Sequence, residues 1–258
     1  MSYILIDAGN SCLKVAILDD LTIRDISYSI IAYEYLYEDL YKCISCNSVS
    51  QVLVSNVNNT LTFQIISDVV YKLWGIQTQQ VIVEQDSYGI STNYSNPYTL
   101  GSDRWLTLIA SKASYDNACC IIDCGTAVTV DVLSESGLHL GGLITPGIKM
   151  LRDSLGLKTS SLPIVADDVE KNSSHFHFLA NNTKNAILGG TLFQLSAYIE
   201  RIVSEIKCEF GENIECIITG GDAQKLQPLI LHNFLYHETL VLDGLRVVAK
   251  DLFQKAKS

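Results

Sequence analysis

Short apolar runs rich in β-branched residues alternate along the chain with longer stretches whose apolar positions return every three or four residues, the two periods that separate strands from helices. Tyr3–Ile6 and Leu13–Leu18 are strand-like. Between them lies Asp7-Ala8-Gly9-Asn10-Ser11, a cluster of turn formers, so the opening predicts a hairpin with an Asp, a Gly and two small polar residues at its tip. Thr22–Ile30 predicts a third strand and Gln51–Ser55 a fourth. Leu61–Trp74 predicts a helix, because Phe63, Ile66, Val70 and Leu73 fall on one face. Val81–Val83 is strand-like, Tyr88–Leu100 reads as a polar loop, and Ser102–Ser114 predicts a helix that aligns Leu106, Ile109, Ala110 and Ala113.

The opening pattern then returns. Cys119–Asp123 predicts a strand, Cys124-Gly125-Thr126 a turn, and Val128–Leu133 the returning strand. Asp7-Ala8-Gly9-Asn10-Ser11 thus aligns with Asp123-Cys124-Gly125-Thr126-Ala127, and each lies between two apolar runs. This is a duplicated strand–turn–strand unit, which predicts two similar halves facing each other, 1–116 and 117–258. In the second half, Leu138–Ile144 predicts a strand, Pro146–Leu155 a helix and Lys158–Ser174 a polar loop. Asn182–Phe210 predicts one long helix, with Ile187, Leu188, Leu195, Ile199, Ile202 and Ile206 as its apolar positions. Glu215–Thr219 predicts a strand, Gly220-Gly221-Asp222 a turn, and Ala223–Leu231 and Gly244–Ala256 helices around a short strand at Leu240–Leu242. Alternating strands and helices make the class α/β.

Composition narrows the function. Of 258 residues 48% are hydrophobic and 18% charged, which excludes a largely disordered chain. Eighteen basic against 28 acidic residues give a net charge of −10, so no broad nucleic-acid footprint is expected. Anionic substrates stay open, because backbone N–H groups bind phosphate without net positive charge. No apolar run approaches the roughly 18 residues of a membrane span, and the N-terminus reads as a first strand, not a signal peptide. The eight cysteines include Cys43-Ile44-Ser45-Cys46, but no second pair or nearby His completes a zinc site. They read as reduced thiols in a cytoplasmic protein. His175-x-His177 reads as a solvated loop pair.

The candidate chemistry sits in the turns. Gly9 lets the first turn approach a ligand, Asn10 and Ser11 add donors for phosphate oxygens, and Asp7 can hold magnesium or its waters. Such a turn alone is commonly just a hairpin. The matching Asp123-x-Gly125-Thr126 makes a two-jawed clamp for a nucleoside triphosphate and its cation. Gly220-Gly221 either leaves room for adenosine against backbone or forms a plain strand-to-helix turn. Asp103, in Gly101-Ser102-Asp103-Arg104, is either a cap for its helix or a general base beside the anion-binding Arg104, and the two roles are compatible. Neither G-x-x-x-x-G-K-[ST] nor G-x-G-x-x-G occurs, which disfavours P-loop and Rossmann nucleotide binding.

Taken in order, Asp7-x-Gly9-Asn10-Ser11-x-x-Lys14, Gly101-x-Asp103-Arg104, Asp123-x-Gly125-Thr126-Ala127-x-Thr129-x-Asp131, Gly141-Gly142-x-Ile144-x-Pro146-Gly147 and Thr219-Gly220-Gly221-Asp222-Ala223 resemble type III pantothenate kinase over nearly the whole chain. That family belongs to the acetate kinase, sugar kinase, Hsp70 and actin superfamily. The resemblance implies two ribonuclease-H-like halves with the active site in the cleft between them, and ATP-dependent phosphorylation of pantothenate, the first step toward coenzyme A. It implies that Asp7, Ala8, Gly9, Asn10, Ser11, Cys12, Leu13 and Lys14 bind ATP phosphates, with Thr126 from the second half. Asp123 would hold a monovalent cation, K+ or NH4+, alongside Mg2+ with ATP, and Asp7 the magnesium. Asp103 would be the base. Tyr94 and Gly101, Ser102, Asp103 and Arg104 would line the pantothenate pocket, and Gly220 and Gly221 would form the adenosine motif. Thr183 matches a contact the family supplies from a partner subunit, so a homodimer is implied. Ser11 stands where Thr is usual, and both carry the hydroxyl. The alternatives are another phosphotransferase of the superfamily and a non-catalytic regulator resembling Bvg accessory factors.

Overall fold

A computed structural model describes residues 2–22, 26–44, 48–165 and 179–255. Cys46, His175, His177, the 166–174 part of the predicted loop and residues 23–25 of the predicted third strand lie outside the described residues. In chain order the elements are β1 (Ser2–Ala8), β2 (Leu13–Leu18), β3 (Tyr28–Ile31), α1 (Leu36–Ile44), β4 (Val49–Asn56), α2 (Thr60–Trp74), β5 (Gln79–Gln80), β6 (Asp86–Ser87), β7 (Ile90–Thr92) and α3 (Ser102–Ser114). They continue as β8 (Cys119–Cys124), β9 (Ala127–Leu133), β10 (Leu138–Pro146), α4 (Ile148–Lys158), α5 (Thr183–Phe210), β11 (Glu215–Thr219), α6 (Ala223–Leu226), β12 (Leu235–Tyr236) and α7 (Leu240–Lys255).

The chain divides into two compact units, one of residues 1–116, 133–141 and 239–258, the other of 117–132 and 142–238. In the first, the sheet order is β3-β2-β1-β4-β5. β1 runs antiparallel to β2 with Asp7 opposite Lys14, and parallel to β4 with Asp7 opposite Ser55. Ile4, Ile6, Leu13, Val15, Val52 and Val54 turn one face of the sheet into the core, where Leu36, Leu40 and Ile44 of α1 and Ile66, Val69 and Val70 of α2 cover it. Burying each of these large side chains stabilises the fold by roughly 1.5–3 kcal/mol.

The division differs from a cut at residue 116 in returning residues 133–141 and α7 to the first unit. Gly244 explains the placing of α7. A Cβ there would lie 2.2 Å from the Leu106 carbonyl oxygen, so the missing side chain lets α7 press against the backbone of α3.

The other sheet has seven strands in the order β12-β11-β8-β9-β10-β7-β6, with β11 parallel to both β8 and β12. Two residues join β8 to β9, a link only an antiparallel pair permits. Read from β10 to β12 and counted along the chain from β8, five strands of this sheet run third-second-first-fourth-fifth, the order of the first sheet. The start of β10 also pairs with β7, where His139 lies opposite Thr92.

Several boundaries differ from the sequence expectation. Leu240–Leu242, expected as a strand, is the first turn of α7. The strand near Val81 is Gln79–Gln80, although the Val81 N–H still donates to Val54 O at 2.8 Å. Pro146 ends β10, and the next helix starts beyond the N-cap Gly147. Pro228 breaks the predicted Ala223–Leu231 helix into α6 and a short 3-10 turn.

Candidate active site

Asp103 stands in the first turn of α3, whose N-cap, Gly101, offers no side-chain cap. Asp103 instead turns back on its own helix, Oδ1 accepting from the Arg104 N–H at 2.7 Å. Gly101 makes room for this, since a Cβ there would come 2.5 Å from Asp103 Oδ1. Arg104 is buried, yet its guanidinium is well placed: Nη1 donates to the Tyr94 hydroxyl at 3.2 Å and Cζ lies 5.9 Å from the Tyr94 ring centroid. Gly101, Asp103, Arg104 and Tyr94 thus form one constellation in the first unit.

Ser102 belongs to the frame. Its hydroxyl is buried 3.1 Å from that of Ser55, fastening the start of α3 to the end of β4. His139, which carries no motif, was not legible as part of the site. It is fully buried, stacks on Tyr94 with centroids 5.4 Å apart, and sets Nδ1 3.1 Å from Thr92 Oγ1. That same Thr92 oxygen accepts the Tyr94 N–H at 3.2 Å, so His139 and Thr92 brace Tyr94 from within the unit.

The first turn, between β1 and β2, exposes Asn10 and Ser11 while Ala8 and Leu13 are buried and Gly9 and Cys12 half-buried. Lys14, opposite Asp7, lies 5.3 Å from the Tyr28 ring centroid. Burial pushes the Cys12 thiol above its ordinary range, opposed in part by Lys14. Gly9 is not among the glycines with positive φ, and a Cβ there would meet nothing closer than Cys12 O at 3.5 Å. The fold itself makes no demand for glycine at that position.

The second turn lies between β8 and β9 in the other unit. Asp123, Gly125 and Thr126 are half-buried, and Cys124 is buried with its thiol pushed far up by that burial. The β11–α6 turn packs on it: Asp222 N–H donates to Cys124 O at 3.0 Å. Gly220, at φ +94°, would bring a Cβ within 2.4 Å of Asp123 Oδ1 and 2.6 Å of Cys124 N. Gly220 therefore has a conformational reason to be glycine, whereas Gly221 has no neighbour within 4 Å and faces open space. Thr183 is exposed at the start of α5, where Asn182 caps the helix by accepting the Asn185 N–H at 2.9 Å.

The sequence profile of the type III pantothenate kinase family matches residues 3–205. The chain belongs to that family. The type III pantothenate kinase of Nitrosococcus oceani is 35% identical over 254 residues, covering 96% of this chain and 94% of the relative. That of Alkalilimnicola ehrlichii is 29% identical, covering 96% and 98%. Phosphorylation of pantothenate by ATP is accordingly the activity of this pantothenate kinase, and ATP with magnesium comes with the family. Solved structures of low identity share the fold over nearly the whole chain. MreB 5 of Spiroplasma citri bound to AMPPNP matches with a TM-score of 0.54 at 11% identity, covering 99% of this chain and 98% of that one. A candidate transcriptional activator of the Baf family from Campylobacter jejuni matches with a TM-score of 0.58 at 21% identity, covering 97% and 99%, a likeness of fold alone. Among the described residues no helix is long and apolar enough to cross a membrane.

Proposed function

We propose that this pantothenate kinase transfers the γ-phosphoryl group of ATP with Asp103 as general base. The observation that carries the reading is the Asp103 carboxylate held at the α3 N-terminus, next to a buried Arg104 braced on Tyr94. With Oδ1 tied to the first-turn amide, the carboxylate is oriented before substrate arrives, as proton abstraction in a transition state requires. The hydroxyl oxygen of pantothenate bonds to the γ-phosphorus, the bond to the β,γ-bridging oxygen breaks, Asp103 takes the hydroxyl proton and ADP leaves. Arg104, Tyr94 and the start of α3 receive the pantothenate, its carboxylate matched to a cation and a helix N-terminus.

In this reading the Asp7–Lys14 turn binds the ATP phosphates. The support is Gly9, where the fold has room for a methyl group yet the chain keeps a glycine, as close approach by a ligand would require. Within the second unit, Thr126 offers a hydroxyl and Gly221 open backbone, as nucleotide contacts need. Among the described residues no three His, Cys, Asp or Glu side chains gather as a metal cage. Magnesium needs none, because it commonly shares one or two carboxylates with phosphate oxygens and water. Asp7 suits that role and Asp123 the monovalent cation; when bound, such ions neutralise charge on the transferring group. The strand order that the first sheet shares with five strands of the second supports duplicated ribonuclease-H-like halves. A cytoplasmic location suits the exposed Cys208 thiol.

Asp103→Asn tests the base: it should retain ADP and pantothenate binding by calorimetry while losing about 10²–10⁴-fold in kcat. Near-normal turnover would remove Asp103 from the role.

A homodimer is part of the reading. Leu143, Ile144, Met150, Leu157 and Phe193 are exposed apolar side chains of the second unit, the unit that also presents Thr183. If Thr183 serves the partner's site, mixing Asp103→Asn subunits with Thr183→Ala subunits restores activity, because one site in each mixed dimer is intact. No restoration would mean that each site is built from one chain.

A further inference from the structure

The carbonyl of Gly9 is held by two side chains from outside the first turn. Tyr33, between β3 and α1, donates its hydroxyl to Gly9 O. Asn58, between β4 and α2, donates Nδ2 to the same oxygen at 3.1 Å. Asn58 is itself oriented, because its Oδ1 accepts from Asn59 N at 2.7 Å and from Asn59 Nδ2 at 2.9 Å, which turns the amide nitrogen toward Gly9. Asn59 in turn caps α2, its Oδ1 accepting the Thr62 N–H at 2.9 Å. One residue earlier in the turn, Ala8 O accepts the Val57 N–H at 3.1 Å. The tip is thus tied through Asn58 and Asn59 to the first turn of a 15-residue helix.

Peptide geometry converts this tether into an aim. No cis peptide occurs among the described residues, and a trans unit directs its C=O and the next N–H in opposite senses. Fixing the Gly9 carbonyl toward Tyr33 and Asn58 therefore turns the Asn10 N–H away from them, on a residue exposed to solvent. If that peptide were free to rotate, the carbonyl, which repels phosphate, would sample the ligand side as well. We infer that Tyr33 and Asn58 are positioning residues for ATP, which hold the Gly9–Asn10 peptide with its N–H turned toward the nucleotide phosphates. The inference rests on reading Asp7–Lys14 as the phosphate turn. Dipoles fixed in advance stabilise phosphate charge at no cost of reorganisation on binding. Burial raises the Tyr33 phenol from 10.0 to about 12, so its hydroxyl stays a donor at neutral pH.

The test is steady-state kinetics of Tyr33→Phe, Asn58→Ala and the double variant, beside Lys14→Ala, with thermal melts of each. Each single change removes one bond to the same oxygen, so either suffices if the other fails to fold. The expected result is an ATP KM raised about three- to ten-fold in each single variant. The double variant should rise further, and the pantothenate KM should stay unchanged in all three. A lower melting temperature or kcat with an unchanged ATP KM would make the two bonds structural and overturn the inference. Lys14→Ala separates the two levels. If it leaves the ATP KM unchanged, the phosphate-turn reading fails; if it raises the ATP KM while the Tyr33 and Asn58 variants do not, only the positioning role fails.

Discussion

The Arg104 guanidinium lies 5.9 Å from the centroid of the Tyr94 ring and donates to that ring's hydroxyl at 3.2 Å, while His139 stacks on the same tyrosine with centroids 5.4 Å apart. A buried cation is costly unless it is bonded, and the Tyr94 hydroxyl supplies one of the bonds that hold this guanidinium in place. Tyr94→Phe keeps the ring and removes the bond. The pantothenate KM should rise about three- to ten-fold, with the ATP KM unchanged. Arg104→Lys should cost more, since lysine lacks the planar fork. An effect confined to the ATP KM in either variant would contradict the assignment.

Gly101→Ala separates catalysis from stability. A Cβ at position 101 would lie 2.5 Å from Asp103 Oδ1, and a side-chain carboxylate can swing aside where backbone cannot. The melting temperature should fall only slightly, since replacing the N-cap glycine by alanine costs about 1 kcal/mol or less. The value of kcat should fall at least tenfold, about 1.4 kcal/mol of transition-state stabilisation. Unchanged kcat would mean that the carboxylate position at the helix start does not matter to the reaction.

These side chains were not equally legible. Ser102–Ser114 and Glu215–Thr219 emerge at their expected bounds because their period is strong and glycines or turn residues flank them. In the helix Leu36–Ile44 the helical spacing of Leu36, Leu40 and Ile44 is obscured by the tyrosines between them. Leu240–Leu242 is ambiguous in sequence because a three-residue apolar run has no period of its own. Motif residues such as Asp103 and Arg104 could be named in advance because they stand side by side. Tyr33 and Asn58 reach Gly9 across 24 and 49 residues, and His139 reaches Thr92 across 47, so only the folded sheet brings them together.

Gly220 and Gly221 are adjacent but should behave differently. Gly220→Ala sets a Cβ 2.5 Å from the Cys124 carbonyl carbon at a φ of +94° that alanine rarely adopts. The expected loss is about 1–3 kcal/mol in urea unfolding. Gly221→Ala meets nothing within 4 Å, so stability should be unchanged while the ATP KM rises if adenosine lies there. Equal destabilisation of the two variants would contradict this distinction.

Alkaline stability should reveal Tyr33. Burial raises its folded-state phenol to about 12 from an ordinary 10.0. The folded protein then holds a proton that the unfolded chain releases, so stability from this group is complete below pH 10 and declines as pH rises toward 12. Urea unfolding at pH 9, 10 and 11 should therefore fall off more steeply for the wild type than for Tyr33→Phe, whatever their difference at neutral pH. Parallel slopes would show that the hydroxyl is not buried in solution.

The most direct test is product formation by the purified chain, given ATP, magnesium and pantothenate, with potassium, ammonium or sodium as the monovalent ion and mass detection of 4′-phosphopantothenate. The account predicts phosphopantothenate with potassium or ammonium, little with sodium, and essentially none from Asp103→Asn. Saturable ATP binding with no phosphopantothenate under any of these ions would contradict it.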